Sequence, residues 1–215
     1  MMPDEGETAG ARLNVRLESA GLEPLEAGQC VRFEEYLSLI LRWNARVNLT
    51  AIRDEEGILS RHFVESITCA RCLPSGIATL LDFGSGAGFP GIPIALCRPE
   101  IAVTLAESQG KKAAFLQEAI RLLGIASTVY SGRAETLKRQ FDCVTLRAVD
   151  RMQEATKGAS RLVRPGGWLV PMTTRADLAA LEAAAGSEYF WELILPLAGG
   201  EDRVAEIGKR ISLPA

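Results

Sequence analysis

Leu80-Leu81-Asp82-Phe83-Gly84-Ser85-Gly86-Ala87-Gly88-Phe89-Pro90-Gly91 decides how the chain is read. The apolar run Ala78 to Phe83 predicts a buried strand. It breaks into a loop carrying four glycines, and a helix-like stretch follows. A strand that opens through glycine onto a helix start presents bare backbone N–H groups to a ligand. The ligand implied is a nucleotide-like cofactor.

Two registers overlap in this loop. Gly86-Ala87-Gly88-Phe89-Pro90-Gly91 fits G-x-G-x-x-G, the dinucleotide fingerprint. Asp82-Phe83-Gly84-Ser85-Gly86-Ala87-Gly88 fits acidic-x-G-x-G-x-G, which resembles the S-adenosylmethionine loop of class I methyltransferases. Charge separates the two. A pyrophosphate would make a carboxylate at Asp82 unwelcome. S-adenosylmethionine carries a sulfonium and an ammonium, so an acidic residue beside the loop is favourable. Glu107, at the end of the next predicted strand, suits the ribose hydroxyls of either cofactor.

On either side of the loop the chain changes character. Residues 1–10 carry no periodic pattern and read as disordered. Up to Pro74 the pattern is helical: Ala11–Ala20, then Ala27–Arg46 with Phe33, Tyr36, Leu37, Ile40 and Trp43 at helical spacing, then Glu55–Cys72 behind an Asp54 N-cap. After Pro74, strands and helices alternate. Strands are expected at Ala78–Phe83, Ile101–Glu107, Ala126–Tyr130, Phe141–Ala148, Trp168–Met172, Phe190–Leu195 and Arg203–Lys209. Helices are expected at Gly91–Cys97, Lys111–Leu123, Arg151–Val163 and Ala176–Ala185. No helix separates the last two strands, so that closing pair is antiparallel. The organisation expected is a helical extension over residues 1–75 and an α/β domain over 76–215, its mostly parallel sheet covered on both faces. Ligands on such sheets bind at the carboxyl ends of the strands. The glycine loop, Glu107, Gly132–Glu135 and Arg147 all fall at such ends.

Composition narrows the classes. No apolar run is long enough to span a membrane, and the acidic start, Met1-Met2-Pro3-Asp4-Glu5, is no signal peptide. Five cysteines, an odd number, suit a reducing cytoplasm. Cys69-Ala70-Arg71-Cys72 is a lone C-x-x-C, read as two cysteines on a helix rather than a metal site. The net charge of −3 speaks mildly against a nucleic-acid partner, although local basic clusters bind phosphate on acidic proteins too.

Several stretches together resemble one family, the bacterial small-subunit (16S) ribosomal RNA guanine-N7 methyltransferases, also called glucose-inhibited division protein B. They are Trp43-Asn44 with Asn48-Leu49-Thr50; Arg61-His62-Phe63 with Glu65-Ser66; Leu81-Asp82 with Gly84 to Pro93; Glu107-Ser108 with Gly110-Lys111-Lys112 and Phe115-Leu116; Gly132-Arg133-Ala134-Glu135; and Arg147-Ala148. The Phe89-Pro90-Gly91-Ile92-Pro93 continuation is distinctive, because many methyltransferases lack it. The resemblance implies a Rossmann-like class I methyltransferase with a seven-stranded sheet, S-adenosylmethionine as cofactor, and the small-subunit RNA or the subunit as substrate; a monomer is expected. It places Gly84 and Phe89 against the cofactor, Glu107 on the ribose, Ala134 and Glu135 beside the adenine, and Arg147 facing cofactor and substrate. Two features depart from the family: glutamate stands at 65 and 107 where aspartate is common, and Pro171-Met172-Thr173-Thr174 stands where a Lys-Gly is expected.

The residues also bear on the reaction. Guanine N7 has a free lone pair and no proton, so methyl transfer to it needs alignment and no base. The chain has one histidine and no evident acid–base pair. Exocyclic amines often call for Asp/Asn-Pro-Pro-Tyr after the fourth strand, and Thr145-Leu146-Arg147-Ala148 stands there. Arg147 is the candidate for orienting guanine, through O6 or a phosphate; its alternative is an ion pair with Asp150 or Glu135. Candidate cofactor ligands are thus Asp82, Gly84, Gly86, Gly88, Phe89, Glu107, Ala134, Glu135 and Arg147. Lys111 and Lys112 oppose the dipole at a helix start, which suggests phosphate contact. His62 is a candidate for RNA or the cofactor carboxylate, against a packing role beside Phe63. Asn44 and Asn48 read equally as helix-end caps or functional residues. A small-molecule methyltransferase, a nicotinamide-dependent dehydrogenase and an inactive cofactor-binding regulator remain as alternatives.

Overall fold

The computed structural model describes residues 7–198 and 202–212. Seven strands form one sheet: β1 Thr79–Phe83, β2 Ala102–Ala106, β3 Thr128–Tyr130, β4 Phe141–Arg147, β5 Val163–Thr174, β6 Tyr189–Pro196 and β7 Arg203–Arg210. Their order is β3-β2-β1-β4-β5-β7-β6. β1 to β5 run parallel, and β7 lies antiparallel between β5 and β6. The expected antiparallel closure is present. The order reverses between β1 and β4, so the loops leaving those strands diverge and open a crevice.

The helices are α1 Ala9–Ser19, α2 Ala27–Asn44, α3 Glu55–Gly57, α4 Glu65–Cys72, α5 Gly91–Cys97, α6 Gly110–Leu123, α7 Met152–Ser160 and α8 Leu178–Ala185. The sheet alternates side chains between two apolar layers. Leu80, Val103, Leu105, Val170 and Ile207 join a core with residues of α1, α2, α4, α5 and α6. Leu81, Phe83, Val144, Leu146 and Leu169 meet α7 and the end of α8 on the other face. The N-terminal helices therefore share one continuous core with the sheet. Gln29, whose Oε1 accepts from the Glu26 amide, also donates to the Leu96 carbonyl, tying α2 to α5.

Three expectations need correction. The disorder expected over residues 1–10 falls partly outside the described residues, but Ala9 and Gly10 begin α1, and the Gly10 N–H donates to Glu34 Oε1 at 2.8 Å. Glu55–Cys72 is not one regular α-helix: Ile58–Val64 between α3 and α4 is a π-helical segment. β5 begins at Val163, not Trp168. Two residues along β4, Phe141 to Cys143, span five along β5, Val163 to Trp168, so Pro165-Gly166-Gly167 is a bulge inside the strand.

Candidate functional site

The glycine loop owes its shape to what lies beneath it. Asp82 is fully buried at the end of β1. Its Oδ2 accepts from the Gly91 N–H at 3.2 Å, and its Oδ1 accepts from the Thr145 hydroxyl at 3.1 Å. Burial pushes its carboxyl up to about 6, against the opposing pull of these hydrogen bonds. From above, Tyr36 of α2 donates to the Ala87 carbonyl at 2.5 Å. A Cβ at Gly88 would meet Ile92 Cδ1 at 2.5 Å and the Tyr36 hydroxyl at 2.7 Å, so only glycine fits. Gly84 has φ +71°, and Val149 of the loop after β4 packs directly over it.

The loops after β1, β2 and β4, together with Gly132–Glu135, line a cavity of about 670 Å³, a size that small-molecule cofactors occupy. Gly84, Gly86, Phe89, Glu107, Ala134, Glu135, Arg147, His62 and Lys112 all stand on its wall. Asp82, Gly88 and Lys111 do not. The Asp82 carboxylate lies beneath the wall and holds the loop from below. Gly88 is turned towards Ile92 and Tyr36 of the helices, and Lys111 is exposed.

Glu107 is buried at the carboxyl end of β2. Its Oε2 accepts from the Gly86 N–H at 2.9 Å and its Oε1 from the Gln109 N–H at 2.7 Å. The longer side chain thus closes the loop while each oxygen keeps a further lone pair for a hydroxyl donor. Phe89 presents its ring to a ring. His62 stacks on it at 4.5 Å between centroids with 23° between planes. His62 Nε2 lies 2.7 Å from the Thr50 hydroxyl. Burial lowers the His62 pKa to about 3, helped by the positive charges of Arg147, Arg61 and Arg203, so the imidazole is neutral.

Thr50 is placed by Asn44. The Asn44 Oδ1 accepts from the Leu49 and Thr50 amides at 2.9 and 3.1 Å, and its Nδ2 donates to the Ile52 carbonyl at 3.2 Å. Asn44 therefore folds the loop that brings Thr50, Ala51 and Ile52 to the cavity rim. Asn48 accepts from Arg53 at 2.8 Å on the surface. In the lone C-x-x-C, Cys69 is fully buried and its thiol is pushed up to about 12, mainly by burial, which leaves it inert.

Arg147 pairs with neither Asp150 nor Glu135. Its Nη2 donates to Glu65 Oε2 at 2.8 Å and to the Arg61 carbonyl at 2.7 Å. Glu65, fully buried at the start of α4, also accepts from Arg61 Nε at 3.2 Å and Arg203 Nε at 2.9 Å. Arg203 sits on β7, 138 residues along the chain from Glu65. Sequence reasoning missed Arg203 and treated Glu65 only as a departure from a pattern. The one available signal was the pairing of a buried-face glutamate with arginines at the ends of two strands. The loop after β4 adds Ala148 and Arg151 in left-handed backbone, φ +50° and +52°, conformations that a side chain disfavours and that gather at ligand sites.

Comparison with known proteins agrees with this geometry. The family model GidB, described as rRNA small subunit methyltransferase G, matches residues 29–201. "Ribosomal RNA small subunit methyltransferase G" of Roseiflexus sp. is 45% identical over 150 residues, which span 66% of this chain and 64% of that protein. The protein of the same name from Stenotrophomonas maltophilia is 36% identical over 206 residues, 93% of this chain and 95% of that one. Among solved structures, TYW2 of P. horikoshii in complex with MeSAdo superposes with TM-score 0.59 at 15% identity, covering 71% of this chain and 63% of that one. An Aquifex aeolicus SAM dependent methyltransferase superposes with TM-score 0.57 at 14% identity, covering 72% and 93%. At those identities the likeness is one of fold, that of class I methyltransferases. The chain belongs to the GidB family, described as rRNA small subunit methyltransferase G.

Proposed function

We propose that this chain transfers a methyl group from S-adenosylmethionine to N7 of a guanine in small-subunit ribosomal RNA. The observation that carries the reading is a glycine-walled cavity whose only imidazole, His62, is held neutral and is too weak a base to deprotonate an amine. An acceptor that has no proton to lose suits such a wall.

The residues present fit the cofactor. Gly84 and Gly86 offer bare backbone, Glu107 offers two oriented carboxylate oxygens, and Ala134 with Glu135 leaves a shallow wall where an adenine can lie. Once bound, S-adenosylmethionine supplies an electrophilic methyl on a sulfonium. What the chain supplies is position. On the cavity wall the neutral His62 adds no positive charge, and its ring is held by its stack with Phe89. Arg147, with Glu65 fixing its orientation, is the residue that orients the guanine. Lys112 on the wall is a candidate for a phosphate. Rate then comes from alignment of acceptor and methyl rather than from proton transfer.

The same reading makes the enzyme a cytoplasmic monomer. Among the described residues no helix is long and apolar enough to cross a membrane. Sedimentation at micromolar concentration is expected to give one species near the chain's 23.2 kDa; a stable dimer would remove the monomer. The function is tested with tritiated S-adenosylmethionine and ribosomal RNA from a strain lacking this enzyme. Label is expected in the small-subunit RNA. No incorporation into that RNA would overturn the reading.

A further inference from the structure

We propose that Arg61, Arg147 and Arg203, gathered around Glu65, form an anion pocket that takes a phosphodiester of the RNA substrate beside the target guanine. The proposal rests on the function read above and adds to it the group that anchors the nucleotide.

Charge balance is the first argument. Three guanidiniums surround one carboxylate, at 3.2, 2.8 and 2.9 Å. Both Glu65 oxygens are already shared among them, and the neighbouring His62 stays neutral, so the cluster holds two positive charges in excess. Surplus charge at a buried site is costly unless something arrives to balance it.

Unused donors are the second. Arg147 is only 8% exposed and lines the cavity. Its Nε and Nη1 have no hydrogen-bond partner among the described residues. Its Nη2 is committed to Glu65 and to the Arg61 carbonyl, which fixes the plane of the guanidinium. With Nη2 committed, Nε and Nη1 lie on different edges of the fixed guanidinium, and each is a single charge-assisted donor for an anionic oxygen. Arg61 and Arg203 are partly exposed on the same wall, at 37% and 22% of their side chains, so an incoming anion reaches them.

Strand order is the third. Glu107 follows β2 and Ala134-Glu135 follows β3, on one side of the switch point. Arg147 ends β4 and Arg203 begins β7, on the other. With the cofactor ribose and adenine on the β2–β3 side, the arginine cluster faces the acceptor. A carboxylate, such as that of the cofactor's methionine, has the same charge, and the test separates the two.

The test uses Arg203→Gln, with thermal melting to confirm folding. The KM for small-subunit RNA is expected to rise about tenfold, the loss of one charge-assisted contact. The slope of log affinity for RNA against log salt is expected to fall by about one, with the dissociation constant for S-adenosylmethionine unchanged within about twofold. A second arm needs no variant. Inorganic sulfate, added to the wild type at constant ionic strength, is expected to compete with RNA and not with S-adenosylmethionine. Weakened cofactor binding with unchanged RNA KM, or sulfate competing with the cofactor, would assign the pocket to the methionine carboxylate and overturn the proposal. No change in either affinity would make the cluster purely structural and overturn it too. A wild type that methylates no ribosomal RNA overturns the underlying function, whereas an active wild type with an indifferent variant overturns the pocket alone.

Discussion

At the scale of single residues, two side chains work away from where their charge suggests. Asp82 looks like a ligand for a cationic cofactor, yet it binds the Gly91 amide and the Thr145 hydroxyl under the loop. The acidic-x-G-x-G pattern was legible as a loop, but the direction of the carboxylate was not, because alternation along β1 decides it and the covering helix is not local. His62 is neutral because burial and three arginines oppose its charge. Its folded pKa lies below the ordinary value of 6.5, so its contribution to stability is present above pH 6.5 and is lost as pH falls towards about 3. His62→Phe, which keeps a ring against Phe89, is therefore expected to gain on the wild type by up to about 1.4 kcal/mol per pH unit below that point. Denaturant melts at pH 7.5, 6 and 5 would measure it, and a constant difference would show that the imidazole is not held neutral. The Glu65 cluster was the least legible feature, since Glu65's partners come from the π-helical segment Ile58–Val64, β4 and β7 and meet only in the folded chain.

At the scale of elements, the site is positioned by irregularities. The π-helical segment Ile58–Val64 carries both Arg61, whose carbonyl accepts from Arg147, and His62. Such segments recur at functional sites. Hydrophobic spacing revealed a helix there but not the extra residue in its turn. The loop after α2 hangs on one side chain. Asn44→Ala removes three hydrogen bonds at a buried position and is expected to cost about 2 kcal/mol in a denaturant melt. A cost near zero would mean that the loop holds without it. In β7, Glu206 is buried with Oε2 unpaired, and burial together with neighbouring Glu182 raises its pKa to about 7. A carboxyl with a raised folded pKa favours the fold below its unfolded value of 4.5 and loses that advantage as pH rises through about 7. Glu206→Gln is expected to be more stable than wild type by about 1 kcal/mol at pH 8, with the gap closing by pH 5. An equal gap at both values would put the effect down to packing. Strand and helix positions were otherwise legible from period and glycine or proline stops, within a residue or two at most boundaries. The bulge at Pro165-Gly166-Gly167 escaped because those residues signal a loop equally well.

At the scale of the whole molecule, the sheet divides labour across its switch point. One half presents glycine backbone and Glu107, the other presents Arg147 and Arg203, and the N-terminal helices deliver Tyr36, Thr50, Arg61, His62 and Glu65 between them. The N-terminal part thus supplies much of the wall around the reacting groups while packing into the same core as the sheet. The central claim is an acceptor that gives up no proton. The most direct test digests labelled small-subunit RNA to nucleosides and locates the transferred methyl by chromatography and mass spectrometry. The account predicts 7-methylguanosine as the labelled product, and label on an exocyclic amine or a ribose hydroxyl would contradict it.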